Sequence, residues 1–419
     1  MKLTSLVARL GLVVFVALQA HAASFALRDG DRVVFYGDSI TDQRLYTTFT
    51  ETYVVTRFPK SNISFVHSGW GGDRVTGGGG GPIDLRLKRD VFAYKPTVMT
   101  IMLGMNDGSY RSFDEKIFDT YAQGYEHIID SVKKELPGVR ITVIQPSPFD
   151  DVTQPPKFEG GYNAVLVRYS QFVKELAARE KLGVADLNSP IVAALEKAKA
   201  TDAELAKKII PDRVHPGPGG HLLMAGELLK SWQAPTLVSE VEIDASAKKA
   251  DAKRSKVSEL KTGAEISWLQ MDEALPMPID LKDPVVALAV KSSDFIEALD
   301  QQTLKVTGLP AGTYQLKIDG DEVGSLSGEQ LAKGINLATM PTPMAKQAAE
   351  VHKLTLQHNN LHFDRWRKVQ VPIGEGKTPR VQKALNNLMA AFDQDEADVV
   401  KQQRATAQPR RHYFQLMPR

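Results

Sequence analysis

Four short stretches of this chain carry side chains whose types and order suit nucleophilic chemistry at a carbonyl carbon. Tyr36-Gly37-Asp38-Ser39-Ile40-Thr41 places a serine just after an apolar run, with Gly37 permitting a tight turn. Gly69-Trp70-Gly71-Gly72-Asp73 offers small residues whose backbone N–H groups can approach a substrate oxygen closely. Leu103-Gly104-Met105-Asn106-Asp107-Gly108 supplies a side-chain amide that can donate to the same oxygen. Pro211-Asp212-Arg213-Val214-His215-Pro216 holds a base and an acid three residues apart. There Asp212 can bond one imidazole nitrogen of His215 and leave the other free for Ser39. Each motif alone is commonplace, since most Gly-Asp-Ser triplets are ordinary turns and an asparagine after a strand usually makes an Asx turn. Four in this order are a different matter.

The elements that must position them are legible. Arg32–Tyr36, Ile63–His67, Val98–Leu103, Arg140–Ile144 and Val184–Leu187 are short apolar runs, suited to strands covered on both faces. Helical periodicity fills the gaps: Phe118–Leu136 stops at Pro137-Gly138, Tyr162–Leu182 stops at Gly183, and Pro218-Gly219 opens a helix through Leu228. Such alternation predicts an α/β fold with a parallel, doubly wound sheet. Three motifs then follow the first three strands, where open α/β sheets form their ligand crevice, and the fourth precedes the last helix.

On these residues the chain resembles the SGNH, or GDSL-type, hydrolase superfamily, over about residues 30–235. The four name-giving residues correspond to Ser39, Gly72, Asn106 and His215, with Asp212 as third member of the triad. The first block reads Gly-Asp-Ser-Ile in place of Gly-Asp-Ser-Leu. The resemblance implies a three-layer, flavodoxin-like α/β/α sandwich. It also implies an oxyanion hole made by the N–H of Ser39, the N–H of Gly72 and the side chain of Asn106, and ester hydrolysis through an acyl-enzyme without metal or organic cofactor. Asp38 and Trp70 are candidate substrate contacts. His67 and His221 read as structural histidines, and Asp42 and Asp107 as loop supports.

Composition narrows the class. The 52 basic and 50 acidic residues leave a net charge of +2, which gives no footprint for nucleic acid. There are no cysteines, so disulfides, thiolate metal sites and a cysteine nucleophile are excluded. Residues 1–22 have the form of a cleavable signal peptide: Lys2 and Arg9, an apolar Leu10–Leu18, then Ala20-His21-Ala22. That predicts a periplasmic or secreted protein with no stable membrane insertion after cleavage.

Residues 23–235 are expected to form the hydrolase domain and 236–419 a β-rich module with helices and a basic tail. Lys248–Lys256 reads as a linker. Strands are expected at Ile266–Leu269, Val285–Val290, Leu304–Thr307 and Tyr314–Ile318, with Asp319-Gly320 as a hairpin turn. Helices are expected around Met344–Leu356 and Val381–Gln402. The end of the chain (Lys401, Arg404, Arg410, Arg411, Arg419) reads as solvated. Gly77–Gly81 is a flexible connection or a mobile loop at the site. His352, His358 and His362 lack a tight metal-ligand spacing. Export and the appended module point to short acyl, especially acetyl, esters of a carbohydrate. The alternatives are a lysophospholipase, thioesterase or arylesterase of the same superfamily, and a binding protein that has kept a hydrolase-like fold. Trp268, Tyr314 and Trp366 are candidate binding platforms for that last reading, although each type is more often a core residue.

Overall fold

The computed structural model describes residues 25–374 and 376–419; the signal-like segment 1–22 lies outside them. Five parallel strands, β1 (Arg32–Gly37), β2 (Ser64–Gly69), β3 (Val98–Met102), β4 (Arg140–Ile144) and β5 (Gly183–Ala185), are ordered β2-β1-β3-β4-β5. This is the flavodoxin-like order, whose direction of winding reverses between β1 and β3. Parallel neighbours need crossovers, and helices supply them: α1 (Ser39–Asp42), α2 (Leu45–Arg57), α3 (Ile83–Asp90), α4 (Glu115–Glu135), α5 (Gly161–Glu180), α6 (Ser189–Thr201) and α7 (Pro218–Ser231). In the packing, α2 lies against α7 and α4 against α5. Strands β1–β4 are almost wholly buried, as their uninterrupted apolar runs require, whereas the edge strand β5 exposes Gly183 and Val184.

Strand register aligns the functional loops. Gly37 at the end of β1 pairs with Gly69 of β2 and Met102 of β3, so the chain leaves all three strands at one level. The two glycines are demanded by close approach. A Cβ on Gly37 would sit 2.2 Å from Thr41 Oγ1, and one on Gly69 would sit 2.2 Å from the Asp42 backbone nitrogen. The short α1 can lie directly on the strand ends only because both are glycine.

The C-terminal region adds two sheets. One orders β8 (Ser255–Lys261), β9 (Ile266–Asp272), β14 (Arg411–Pro418), β11 (Thr313–Ile318) and β12 (Asp321–Ser327). The other orders β13 (Ile335–Asn336), β10 (Gln301–Thr307), β6 (Leu237–Asp244) and β7 (Lys249–Lys253). Long helices α9 (Pro343–Phe363) and α10 (Pro379–Thr406) pack together, and α9 also packs on α2.

Several expectations for this region are corrected. Val285–Val290 is not a strand but lies in helix α8 (Pro284–Lys291). Asp283 caps it by accepting from the Val285 and Val286 amides, and Pro284 starts it; cap and proline together outweigh the β preference of valine. Lys248–Lys256 is no linker: it supplies β7 and the start of β8, whose charges suit an edge strand. The basic end of the chain is not frayed. β14 sits in the middle of its sheet and buries His412, Phe414 and Leu416 on one face, with Phe414 stacked on Trp268 at 5.0 Å. The alternation was present in the sequence, but its arginines and terminal position suggested solvent. Gly77–Gly81 forms a small antiparallel ladder, Gly77-Gly78 against Gly81-Pro82. Its glycines are needed because a Cβ at Gly77 would lie 2.2 Å from the Gly81 carbonyl, and one at Gly78 would lie 2.8 Å from Asp73 Oδ1. Trp268, Tyr314 and Trp366 are all buried, so none is a surface platform. The Asp319-Gly320 turn does join two antiparallel strands, both residues at positive φ.

The α/β domain and the C-terminal region share a buried seam. Arg57 of α2 donates to the carbonyls of Pro235, Thr236 and Leu299 and meets Asp300 at 3.3 Å. Val55 of α2 belongs to the apolar core of the C-terminal sheets. Asn359 donates to Thr48, Gln403 to Glu51, and Trp366 to Asp90.

Candidate active site

Ser39, Asp212 and His215 meet beyond the C-terminal ends of the strands. Ser39 Oγ lies 2.7 Å from His215 Nε2, and His215 Nδ1 lies 2.7 Å from Asp212 Oδ2. The second Asp212 oxygen accepts from the amides of Val214 and His215, at 2.9 and 2.7 Å, which locks the loop around its own acid. Burial pushes the Asp212 carboxyl upward. The His215 amide, the His215 ring and the Val214 amide outweigh it and hold the group below its ordinary value. With Asp212 ionised, Nδ1 carries the imidazole proton, and Nε2 is left to accept from the serine hydroxyl.

The other oxyanion candidates follow β2 and β3, whose ends are level with the end of β1 that precedes Ser39. Asn106 is anchored at both ends of its amide: Nδ2 donates to the Asp73 carbonyl at 3.0 Å, and Oδ1 accepts from Tyr110 at 2.8 Å. The second Nδ2 hydrogen is left for a ligand. Tyr110 is reached through two consecutive left-handed residues, Ser109 and Tyr110 at φ 58° and 55°. Trp70–Asp73 is a turn closed by Asp73 N–H to the Trp70 carbonyl, with Gly72 at φ 76°. Gly71 spends its N–H on Asp42 at 3.1 Å, whereas the Gly72 N–H has no protein acceptor among the described residues. That distinguishes the two glycines where their sequence context barely does.

Beneath this turn lies a group that the sequence did not reveal. Arg86 is fully buried and binds Asp73 at 2.7 Å, Asp90, and the Ser68 carbonyl at 2.8 Å. Since the Asp73 carbonyl in turn receives Asn106, Arg86 braces both halves of the oxyanion wall. Nothing in the local sequence separates Arg86 from the solvated charges of an amphipathic helix.

The two tentative substrate contacts are corrected. Asp38 is buried and caps α1 by accepting from the Ile40 amide at 3.0 Å. Burial, with the nearby Asp107 and Asp73 charges, pushes its carboxyl up to about 7. Trp70 does not line the pocket. Arg367 lies 3.5 Å above its ring, Arg86 and Arg89 are near it, and Trp366 meets it edge-on. It docks the C-terminal segment and presents no free face to a substrate. The pocket aromatic is Phe363, at the end of α9. Phe363 lines a space of about 430 Å³ with Ser39, Asp42, Gln43, Arg44, Asp212 and His215.

The other histidines take structural positions. His67 is buried between Thr47 and Glu51, and burial pushes it down to about 4. His221 is buried against Gln43. His358 and His362 face Glu396, and His358 also faces Glu51. Among the described residues, no group of three or more His, Cys, Asp and Glu side chains is arranged to hold a metal ion. Asp107 accepts from the Val75 amide, and Asp42 ties Gly71 to Arg367, so both support loops.

A serine hydroxyl, an imidazole and a carboxylate in hydrogen-bonded series thus sit at the strand ends of a doubly wound sheet. Residues 35–223 match the GDSL-like lipase/acylhydrolase family. These residues, a little under half of the chain, form a GDSL-like domain, and the match makes that domain an ester-bond hydrolase. An acetylxylan esterase of Geobacillus stearothermophilus is 26% identical over 226 residues, covering 48% of this chain and 93% of that protein. The solved structure of a gut microbial diltiazem-metabolizing enzyme matches at 28% identity with a TM-score of 0.81, covering 95% of this chain and 99% of that one. The second likeness takes in the C-terminal sheets and helices as well.

Proposed function

We propose that this protein is an exported serine esterase that removes short acyl groups, chiefly acetyl, from carbohydrate. The observation that carries the reading is the unbroken relay from Asp212 through His215 to Ser39, with both links at 2.7 Å. His215 takes the Ser39 proton as Oγ attacks the ester carbonyl. The oxyanion is held by the N–H groups of Ser39 and Gly72 and by Asn106, each such donor being worth about 2.7–4 kcal/mol. The alcohol leaves with the proton from His215, and water then releases the acid from Ser39 by the same route.

Several features support the finer parts. The space beside Ser39 is lined by polar residues except for Phe363, which suits a small acyl group in preference to a long apolar chain. The relative from Geobacillus stearothermophilus is named for acetylxylan. The signal-like residues 1–22 support export. The relative named for diltiazem metabolism favours a second reading, in which small non-carbohydrate esters are taken. The test is acetate release from acetylated oligosaccharides, run beside p-nitrophenyl esters of increasing acyl length, for wild type and Ser39→Ala. Acetate release that falls by about 10⁴-fold or more in the variant is expected. Activity confined to aryl or long-chain esters would discard the carbohydrate, and activity surviving Ser39→Ala would overturn the serine mechanism.

A further inference from the structure

Immediately after α1 the chain places Gln43 and Arg44 on the rim of the pocket that holds Ser39 and His215. Arg44 adopts φ 59°, a left-handed conformation that costs a long side chain energy glycine would not lose. Its guanidinium lies 4.1 Å from the centre of the Phe363 ring, and one nitrogen donates to the Asp42 carbonyl at 2.9 Å. The nearest carboxylate, Asp42, is 4.0 Å away and already committed: Oδ1 accepts from Arg367 and Oδ2 from the Gly71 amide. Asp364 is paired with Lys368, and Asp212 with His215. Two guanidinium groups thus share one carboxylate, and among the described residues a positive charge stands on the pocket wall without a dedicated partner.

Gln43 adds a donor. Its Oε1 lies 2.9 Å from Nε2 of the buried His221, whose Nδ1 has no partner among the described residues. Burial keeps that ring neutral, pushing it down to about 3. A single proton placed on Nε2 leaves a bare lone pair at Nδ1, which costs less than a buried unpaired N–H. His221 therefore holds the oxygen end of Gln43 and leaves the amino end on the pocket rim. A guanidinium, an amide N–H₂ and an aromatic wall together match a carboxylate on a ring.

We propose that Gln43, Arg44 and Phe363 form a subsite for a carboxylate on the alcohol portion of the ester, so that the preferred substrates are acetylated uronate-containing glycans. The proposal rests on the serine-esterase reading above and adds the substrate's charge. The reaction is unchanged: the acetyl–oxygen bond breaks, acetate and the sugar hydroxyl are released by water, and the carboxylate is a bound spectator.

The experiment compares one acetylated oligogalacturonide in two forms, with free carboxylates and with the same groups methyl-esterified, so that the scissile ester is identical. Wild type is expected to favour the free acid on the order of 10-fold in kcat/KM, mainly through KM. The preference should shrink as salt is raised to roughly 0.5 M. Arg44→Gln should bring the ratio to about unity, and Arg44→Lys should retain part of it. Equal rates on the two forms, faster hydrolysis of the methyl ester, or a preference untouched by Arg44→Gln would overturn the subsite. Should Arg44→Gln not fold, the wild-type ratio, its salt dependence and Arg44→Lys decide the matter. p-Nitrophenyl acetate hydrolysis in wild type and Ser39→Ala, run in parallel, separates failure of the subsite from failure of the esterase reading.

Discussion

The pocket around Ser39 and the seam between hydrolase domain and C-terminal region use charge in opposite ways. In the pocket, Asp212, His215 and Arg44 are partly exposed and face a space a ligand can enter. In the seam, Arg57, Asp300, Glu51, His67 and His358 are buried and face one another. Burial alone would raise the Glu51 carboxyl, but His358, His67 and Gln403 outweigh it and keep the group below its ordinary value. Asp300 ends on the other side, pushed up to about 7 by burial in spite of Arg57. A half-exposed charge stays available for chemistry, whereas a fully buried one persists only while its partners are in place. The seam therefore acts as an attachment that carries Phe363 and Arg367 to the rim of the pocket.

The contrast can be broken most forcefully at Arg57. Arg57→Ala leaves Asp300 and three carbonyls without the guanidinium that meets them and should cost about 3–5 kcal/mol of stability, measured by urea unfolding. A loss under about 1 kcal/mol would mean that the seam is held by apolar packing alone. On the pocket side, Asn106→Ala should lower kcat by about 10²–10³-fold, since a preorganised oxyanion donor disappears. Tyr110→Phe removes only the bond that orients that amide, so a fall of about 10-fold or less in kcat with KM unchanged is expected. Equal losses from the two variants would show that Tyr110 does more than orient Asn106.

Asp38 lies beneath the pocket and sharpens the contrast through pH. Its carboxyl rises from 3.8 to about 7 on folding, so the protein binds this proton more tightly than the unfolded chain does. The associated stability is complete below about pH 4 and is lost as pH climbs through 7. Asp38→Asn keeps an acceptor for the Ile40 amide and carries no charge. It should raise the melting temperature at pH 8, by on the order of 2 kcal/mol in stability, and change little at pH 4 or below. A gain that is the same at both pH values would assign the effect to packing.

The legible part of the site was local. Ser39, Gly72 and Asn106 each follow a strand whose apolar run announces it, and Asp212 and His215 interact within one turn of chain. What escaped depended on distance or on competing signals. Phe363 is separated from Ser39 by more than 300 residues. Trp70 was expected beside the substrate, but Arg367 had already taken its ring. Val285–Val290 has strand composition under a helix cap, and β14 hides a period of two among arginines.

Sequence alone determined the doubly wound sheet, the order of its loops and the choice of Ser39, Asp212 and His215 as the set to look for. These follow from periodicity and short-range hydrogen bonding, which act between near neighbours. Only the tertiary structure decided which glycine keeps an N–H without an acceptor among the described residues, that Arg86 braces the Asp73 turn that Asn106 also holds, and that Arg44 meets Phe363. Those outcomes depend on long-range packing, where a side chain's role is set by whatever other parts of the chain bring against it.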